Sequence, residues 1–124
     1  MSQVRANSEL TLRDQRDFSR IYNKGKSRGS RYVVVLYRNN RTDITRTAFV
    51  SSKKVGNSVA RNRSRRLMRE SYNSFRDRIV KGYDIIFVAR NTINDAGQKE
   101  VERSLFGTLR ACGLIEDQSN KGAQ

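Results

Sequence analysis

The sequence predicts a single small α+β domain in which helices cover a mixed sheet, with elements in the order α-β-β-α-β-α. Three observations carry this expectation. Apolar residues recur with helical period between Val59 and Ile79, at Leu67, Met68, Tyr72, Phe75 and Ile79. Two runs, Tyr32 to Tyr37 and Tyr83 to Ala89, are β-branched and aromatic, as strands are. A chain of 124 residues with 35% hydrophobic content is enough for one modest core.

Each element follows from local chemistry. Thr11-Leu12-Arg13-Asp14 resembles a capping box, and Phe18, Ile21 and Tyr22 fall at helical spacing before Gly25, which predicts a helix over 12–24. Tyr32 to Tyr37 is a strand. The turn-forming Asn39-Asn40-Arg41-Thr42-Asp43 then leads to a second strand at Thr45 to Ser51, so the two are expected to pair as an antiparallel hairpin. Gly56-Asn57-Ser58 is a loop ending in a helix N-cap, and Gly82 stops the long helix that follows. Tyr83 to Ala89 is apolar on both faces, as a central strand covered on each side would be. A last helix from Asn94 or Asp95 carries Val101, Leu105, Leu109 and Cys112 on one stripe and stops at Gly113. Residues 46–90 thus form a β-α-β unit, for which a right-handed crossover is the default. Residues 1–10 are expected to be a polar arm, 11–113 the folded domain and 114–124 a polar tail.

The charge is the unusual property. Lys+Arg number 26 against 12 Asp+Glu, a formal net charge of +14. Residues 1–90 hold 22 basic and 7 acidic residues, whereas 91–124 hold 4 and 5. So basic a body repels itself unless a polyanion is near, which makes nucleic acid the leading partner and an anionic membrane surface the second. The apolar run at Tyr32 to Tyr37 is far too short to cross a bilayer, and no secretion signal opens the sequence, so the expected location is the cytoplasm. One Cys excludes a disulfide framework, and the absence of His removes the commonest general base and metal ligand.

The arginines concentrate on one helix. Arg61, Arg65 and Arg69 stand at i, i+4 and i+8 with Arg66 beside them, opposite the apolar stripe. Arg61 and Arg63 occupy the first turns, where the positive dipole end disfavours cations, and no carboxylate follows before Glu70. Free backbone N–H groups, a glycine-containing loop and guanidinium groups together make an anion cradle. A merely solvated arginine face is the bland alternative, which the uncompensated charge at a helix start disfavours.

A second surface combines Phe18 and Tyr22, one turn apart, with Arg13, Arg16 and Arg20 around them, and one strand face carrying Tyr32, Val34 and Leu36. Such a cleft suits single-stranded nucleotides, whose bases stack on aromatic rings. A nuclease acting alone would need clustered carboxylates for Mg²⁺, and here they are scattered. No catalytic residue and no metal ligand is assigned. The residues by themselves leave open a ribosomal or other RNA-structuring protein without a nuclease role.

The segment Ser52-Lys53-Lys54-Val55-Gly56-Asn57-Ser58-Val59-Ala60-Arg61-Asn62-Arg63-Ser64-Arg65-Arg66-Leu67-Met68-Arg69-Glu70 closely resembles the signature of the bacterial ribonuclease P protein subunit. Phe18, Ile21, Tyr22 and Gly25 upstream, and Gly82 to Arg90 downstream, extend the resemblance over about residues 10–110. It implies a protein that assists a catalytic RNA in Mg²⁺-dependent removal of the 5′ leader from precursor tRNA, with Mg²⁺ held mainly by the RNA. The implied partners are the ribonuclease P RNA and precursor tRNA, with no membrane and no required protein partner. The implied fold resembles the second domain of ribosomal protein S5, with a left-handed β-α-β crossover and an extra strand at Lys26 to Ser30, giving the order α-β-β-β-α-β-α. By position, Lys53, Lys54, Asn57, Arg61, Asn62, Arg63, Arg65, Arg66 and Arg69 match the RNA-facing residues. Arg13, Arg16, Phe18, Tyr22, Tyr32, Val34 and Leu36 fall on the leader-binding cleft, Leu36 standing where some members have an aromatic.

Overall fold

The computed structural model describes residues 11–116; the N-terminal arm at 1–10 and most of the expected tail lie outside them. Seven elements follow in the order α-β-β-β-α-β-α: α1 (Gln15–Lys24), β1 (Lys26–Gly29), β2 (Val33–Asn39), β3 (Arg46–Val50), α2 (Ser58–Asn73), β4 (Tyr83–Ala89) and α3 (Gln98–Ala111), with 3-10 turns at Arg76–Arg78 and Asn91–Asp95. Among the described residues, no helix is long and apolar enough to cross a membrane.

The strands form one mixed sheet ordered β1-β2-β4-β3. β4 pairs antiparallel with β2 and parallel with β3, so β2 and β3 do not form the expected hairpin. β4 is apolar on both faces, and the central place buries both; a hairpin of β2 and β3 would have left it at an edge. β1 adds antiparallel to β2 where the resemblance placed a strand.

Alternation along the strands separates two cores. Val33, Val35, Ile85 and Phe87 face α2 and α3, where Leu67, Met68, Tyr72, Val101, Leu105 and Leu109 meet them. The Phe49 and Phe87 rings stack there at 5.0 Å between centroids. On the opposite face Ala48 and Ile86 pack with Leu12 and Ile21 beneath α1, a much smaller core. A single helix covers that face.

Several boundaries move for physical reasons. α1 starts at Asp14, whose carboxylate accepts the Arg16 N–H at 2.9 Å. Thr11 cannot cap it, because Thr11 bridges Thr47 and the Leu12 N–H donates to the Thr47 carbonyl at 2.9 Å, holding the chain extended. The Arg16 N–H and guanidinium hold the Asp14 carboxyl below its usual range. α2 ends at Asn73 rather than Ile79, yet Phe75 and Ile79 stay buried, because the following 3-10 turn keeps them on the core side. The last helix starts at Gln98, after the separate turn at Asn91–Asp95; Glu100 accepts the Gly97 N–H at 2.7 Å. The folded domain also runs past Gly113. Leu114 and Ile115 are buried, Val80 N–H donates to the Leu114 carbonyl, and Ile115 bridges Ile79.

Gly82 is the position where glycine is required. Its φ is +89°, and a Cβ there would lie 2.5 Å from the Thr42 carbonyl oxygen, a backbone atom unable to yield cheaply. Its own carbonyl accepts the Asn40 N–H at 2.8 Å. Gly82→Ala should therefore destabilise the fold by about 1–3 kcal/mol, measurable by urea denaturation, with an unchanged midpoint as the contrary result.

Candidate nucleic-acid interface

Helix α2 builds the first surface. Asn57 is its N-cap, accepting the Ala60 N–H at 3.0 Å, so this residue positions the helix start. Ser64, Leu67, Met68, Ser71 and Tyr72 are buried against the sheet and α3, which turns the intervening residues outward. The first turn contains no acid, and none of the ion pairs among the described residues involves an α2 arginine. Arg66 and Arg69 are exposed, Arg61 and Arg65 half-buried, and Lys53 and Lys54 lie exposed in the turn before Val55, itself buried. Arg65 donates to the Asn62 amide oxygen, so the pair is pre-set side by side on the outer face.

Arg63 is used differently. Its guanidinium donates to the Ile93 carbonyl at 3.3 Å and to the Ala96 carbonyl at 2.7 Å, clamping the start of α2 onto the end of the 3-10 turn at Asn91–Asp95. The resemblance placed it with the RNA-facing arginines. Only the tertiary fold brings the Ile93 and Ala96 carbonyls beneath it.

The second surface is the sheet face under α1. Phe18 and Leu36 both pack against the small core of Leu12, Ile21, Ala48 and Ile86, so the structure brings these two expected residues together. Tyr22 lies one turn beyond Phe18 and is 50% exposed, so it is no core residue. Val34 is half-buried on β2. Because one helix covers four strands, part of this apolar face stays open beside α1, and Val50 and Val88 line it as well. The sequence reading overlooked both, although alternation from Ile86 to Val88 signals the second.

Tyr32 does not join this cleft. It precedes β2 and packs against the larger core on the other side, with the Arg31 guanidinium 5.6 Å from its ring centre. The strand begins at Val33, so a face assignment extrapolated from Val34 and Leu36 fails one residue outside it. Arg13 and Arg16 are exposed at the start of α1, Arg16 pairing with Asp14 at 3.2 Å. A further cation was missed. The Arg90 guanidinium reaches across Gly29, with a nitrogen 2.5 Å from where a Cβ would sit.

The carboxylates of α1 and β4 are held by arginines. Asp17 is 3.1 Å from Arg20 and 3.3 Å from Arg46, and Asp84 is 2.8 Å from Arg46. Among the described residues no three acidic, Cys or His side chains come together as a metal centre would need.

Comparison with known proteins agrees with this geometry. A family model described as Ribonuclease P matches residues 7–113. The ribonuclease P protein component of Alkaliphilus oremlandii is 42% identical over 104 residues, covering 84% of this chain and 91% of that one. That of Clostridium botulinum (strain Langeland) is 40% identical over 107 residues, covering 86% and 96%. Among solved structures, the Staphylococcus aureus RNase P protein superposes with a TM-score of 0.79 at 33% identity, covering 86% of this chain and 98% of that one. The Thermotoga maritima RNase P protein gives 0.74 at 32%, covering 82% and 96%.

Proposed function

The chain belongs to the ribonuclease P protein family, the protein part of a ribonucleoprotein endoribonuclease, and from that premise we propose that its two surfaces divide the work between the enzyme's RNA and its substrate. The α2 face, with Lys53, Lys54, Arg61, Asn62, Arg65, Arg66 and Arg69, holds the phosphate backbone of the ribonuclease P RNA. The cleft beside α1, with Phe18, Tyr22, Val34 and Leu36 and the flanking Arg13 and Arg16, receives the leader of precursor tRNA. Asn57 and Arg63 act by positioning α2.

The observation that carries this reading is the row of α2 arginines, none in an ion pair among the described residues, that begins at the acid-free positive end of the helix dipole. Such an arrangement costs stability unless an anion occupies it. The chemistry itself is assigned to the RNA. Asp14, Asp17 and Asp84 are engaged by arginines, and among the described residues no cluster of carboxylates fits a Mg²⁺ centre. The ion therefore belongs with the RNA phosphates, and the protein's contribution is charge neutralisation and substrate binding.

Reconstitution tests this. Precursor tRNA is incubated with protein alone, with catalytic RNA alone at low Mg²⁺, and with both; only the combination should cleave efficiently. Cleavage by the protein alone would overturn the reading. Arg65→Ala or Arg66→Ala should weaken binding to the RNA and flatten the dependence of log K on log salt by up to about 0.9 for each phosphate no longer neutralised. Titration at several salt concentrations measures that slope, and an unchanged slope would remove these side chains from the interface.

A further inference from the structure

We propose that the outer edge of β3 is a docking groove for an extended acidic peptide segment of a partner protein, a use distinct from the RNA contacts proposed above although the groove shares Phe18 and Arg69 with them. The ladder pattern defines the edge. The Leu12 N–H donates to the Thr47 carbonyl, so Thr47 faces away from β4, and by alternation so does Phe49. The other side of β4 agrees. Asn40 N–H donates to the Gly82 carbonyl and Arg90 N–H to the Tyr32 carbonyl, which directs even-numbered β4 residues to β2. Phe87 then bonds toward β3 through Ala48 and Val50. The Phe49 N–H and C=O thus project from the sheet edge with no partner among the described residues.

The chain itself shows that this edge takes a strand. Thr11 makes one parallel bridge at Thr47, and the backbone then turns away into α1, leaving the next register position open. A groove of about 440 Å³ runs along that position, lined by Leu12, Phe18, Phe49, Arg69, Tyr72 and Arg76 among others, with no carboxylate on its walls among the described residues. Apolar side chains lie on both sides of the open backbone and arginines stand over it. An extended peptide with acidic residues alternating with apolar ones matches both features.

The alternatives fit less well. Phe49 at the open edge offers bases no free ring, because it stacks on Phe87 through one face and lies under the Arg69 guanidinium, 5.5 Å from the ring centre. Phe18 at the far wall belongs to the leader cleft. A nucleic acid also offers no alternating N–H and C=O to pair with a strand edge. A second copy of a chain carrying +14 is repelled by the same arginines.

A fluorescein-labelled heptapeptide of alternating Glu and Val provides the probe, titrated onto the full-length protein by fluorescence anisotropy. Saturable binding is expected, weakened about tenfold by N-methylation of alternate peptide nitrogens and by Arg76→Glu. The peptide should also slow hydrogen exchange at the Phe49 amide of the unaltered protein, a readout that needs no variant to fold. Equal binding of the N-methylated peptide, or an unprotected Phe49 amide at saturation, would overturn the proposal. So would protection of that amide by a uridine hexanucleotide but not by the peptide, or by self-association in sedimentation. The reconstitution assay stands apart from all of these, so failure here leaves the ribonuclease P reading untouched.

Discussion

Asp84→Ala should lower the stability of this domain by about 3 kcal/mol or more, the range for breaking a buried ion pair, equivalent to a fall in Tm of roughly 10–20 °C. Asp84 lies in the central strand with its side chain 8% exposed. Its two oxygens accept from Arg46 Nε at 2.9 Å and Nη2 at 2.8 Å, and Oδ1 also accepts from the Asn40 amide at 2.8 Å. The Asp84 hydrogen bond is the main reason the Arg46 guanidinium is pushed above its usual range. Arg46 also reaches Asp17, so one guanidinium ties β3 to β4 and to α1. Removing the carboxylate leaves a half-buried cation with Asp17 as its only acidic partner. Replacing both members, as Arg46→Met with Asp84→Leu, should recover most of the loss, since burying the pair is itself costly. A double-mutant cycle by chemical denaturation measures this; additive losses would show that the two residues act independently. Where Asp84→Asn still folds, single-turnover cleavage by the reconstituted enzyme at saturating Mg²⁺ should be nearly unchanged. A loss of several orders of magnitude would give this carboxylate a chemical role.

Tyr22→Ala should separate two forms of the substrate. Its ring is half exposed, so the fold should lose no more than about 0.5 kcal/mol. If the ring stacks on a leader base, precursor tRNA should bind more weakly by about 1–3 kcal/mol, roughly 5- to 150-fold. Mature tRNA, which carries no leader, should bind as before, and so should the catalytic RNA. Both tRNA forms would be titrated onto the preassembled complex. Equal losses for precursor and mature tRNA would show that Tyr22 supports the packing of α1 rather than the leader.

What the sequence determined by itself is local. Tyr83 to Ala89 declared a central strand because residues on both of its faces are apolar, a property needing no partner to be seen. The start of α2, to within one residue, and its outward arginines followed from capping chemistry and a 3.6-residue period, which act within one or two turns, although the cap is Asn57 where the sequence pointed to Ser58. Phe18 and Leu36 could be placed together through a resemblance and through alternation, both matters of spacing. The tertiary structure decided everything that depends on which surface meets which. It set β4 between β2 and β3, because two apolar faces are buried only in the middle of a sheet. It turned Arg63 from an expected phosphate ligand into a clamp on two carbonyls 30 and 33 residues away. It drew Leu114 and Ile115 from an expected tail into the core and sent Tyr32 to the opposite side of the sheet from Phe18. It joined Arg46 to Asp84 across 38 residues. Such contacts form only after the sheet closes, because the free energy that selects them is the burial and pairing of groups far apart in the chain, and no local pattern records that energy.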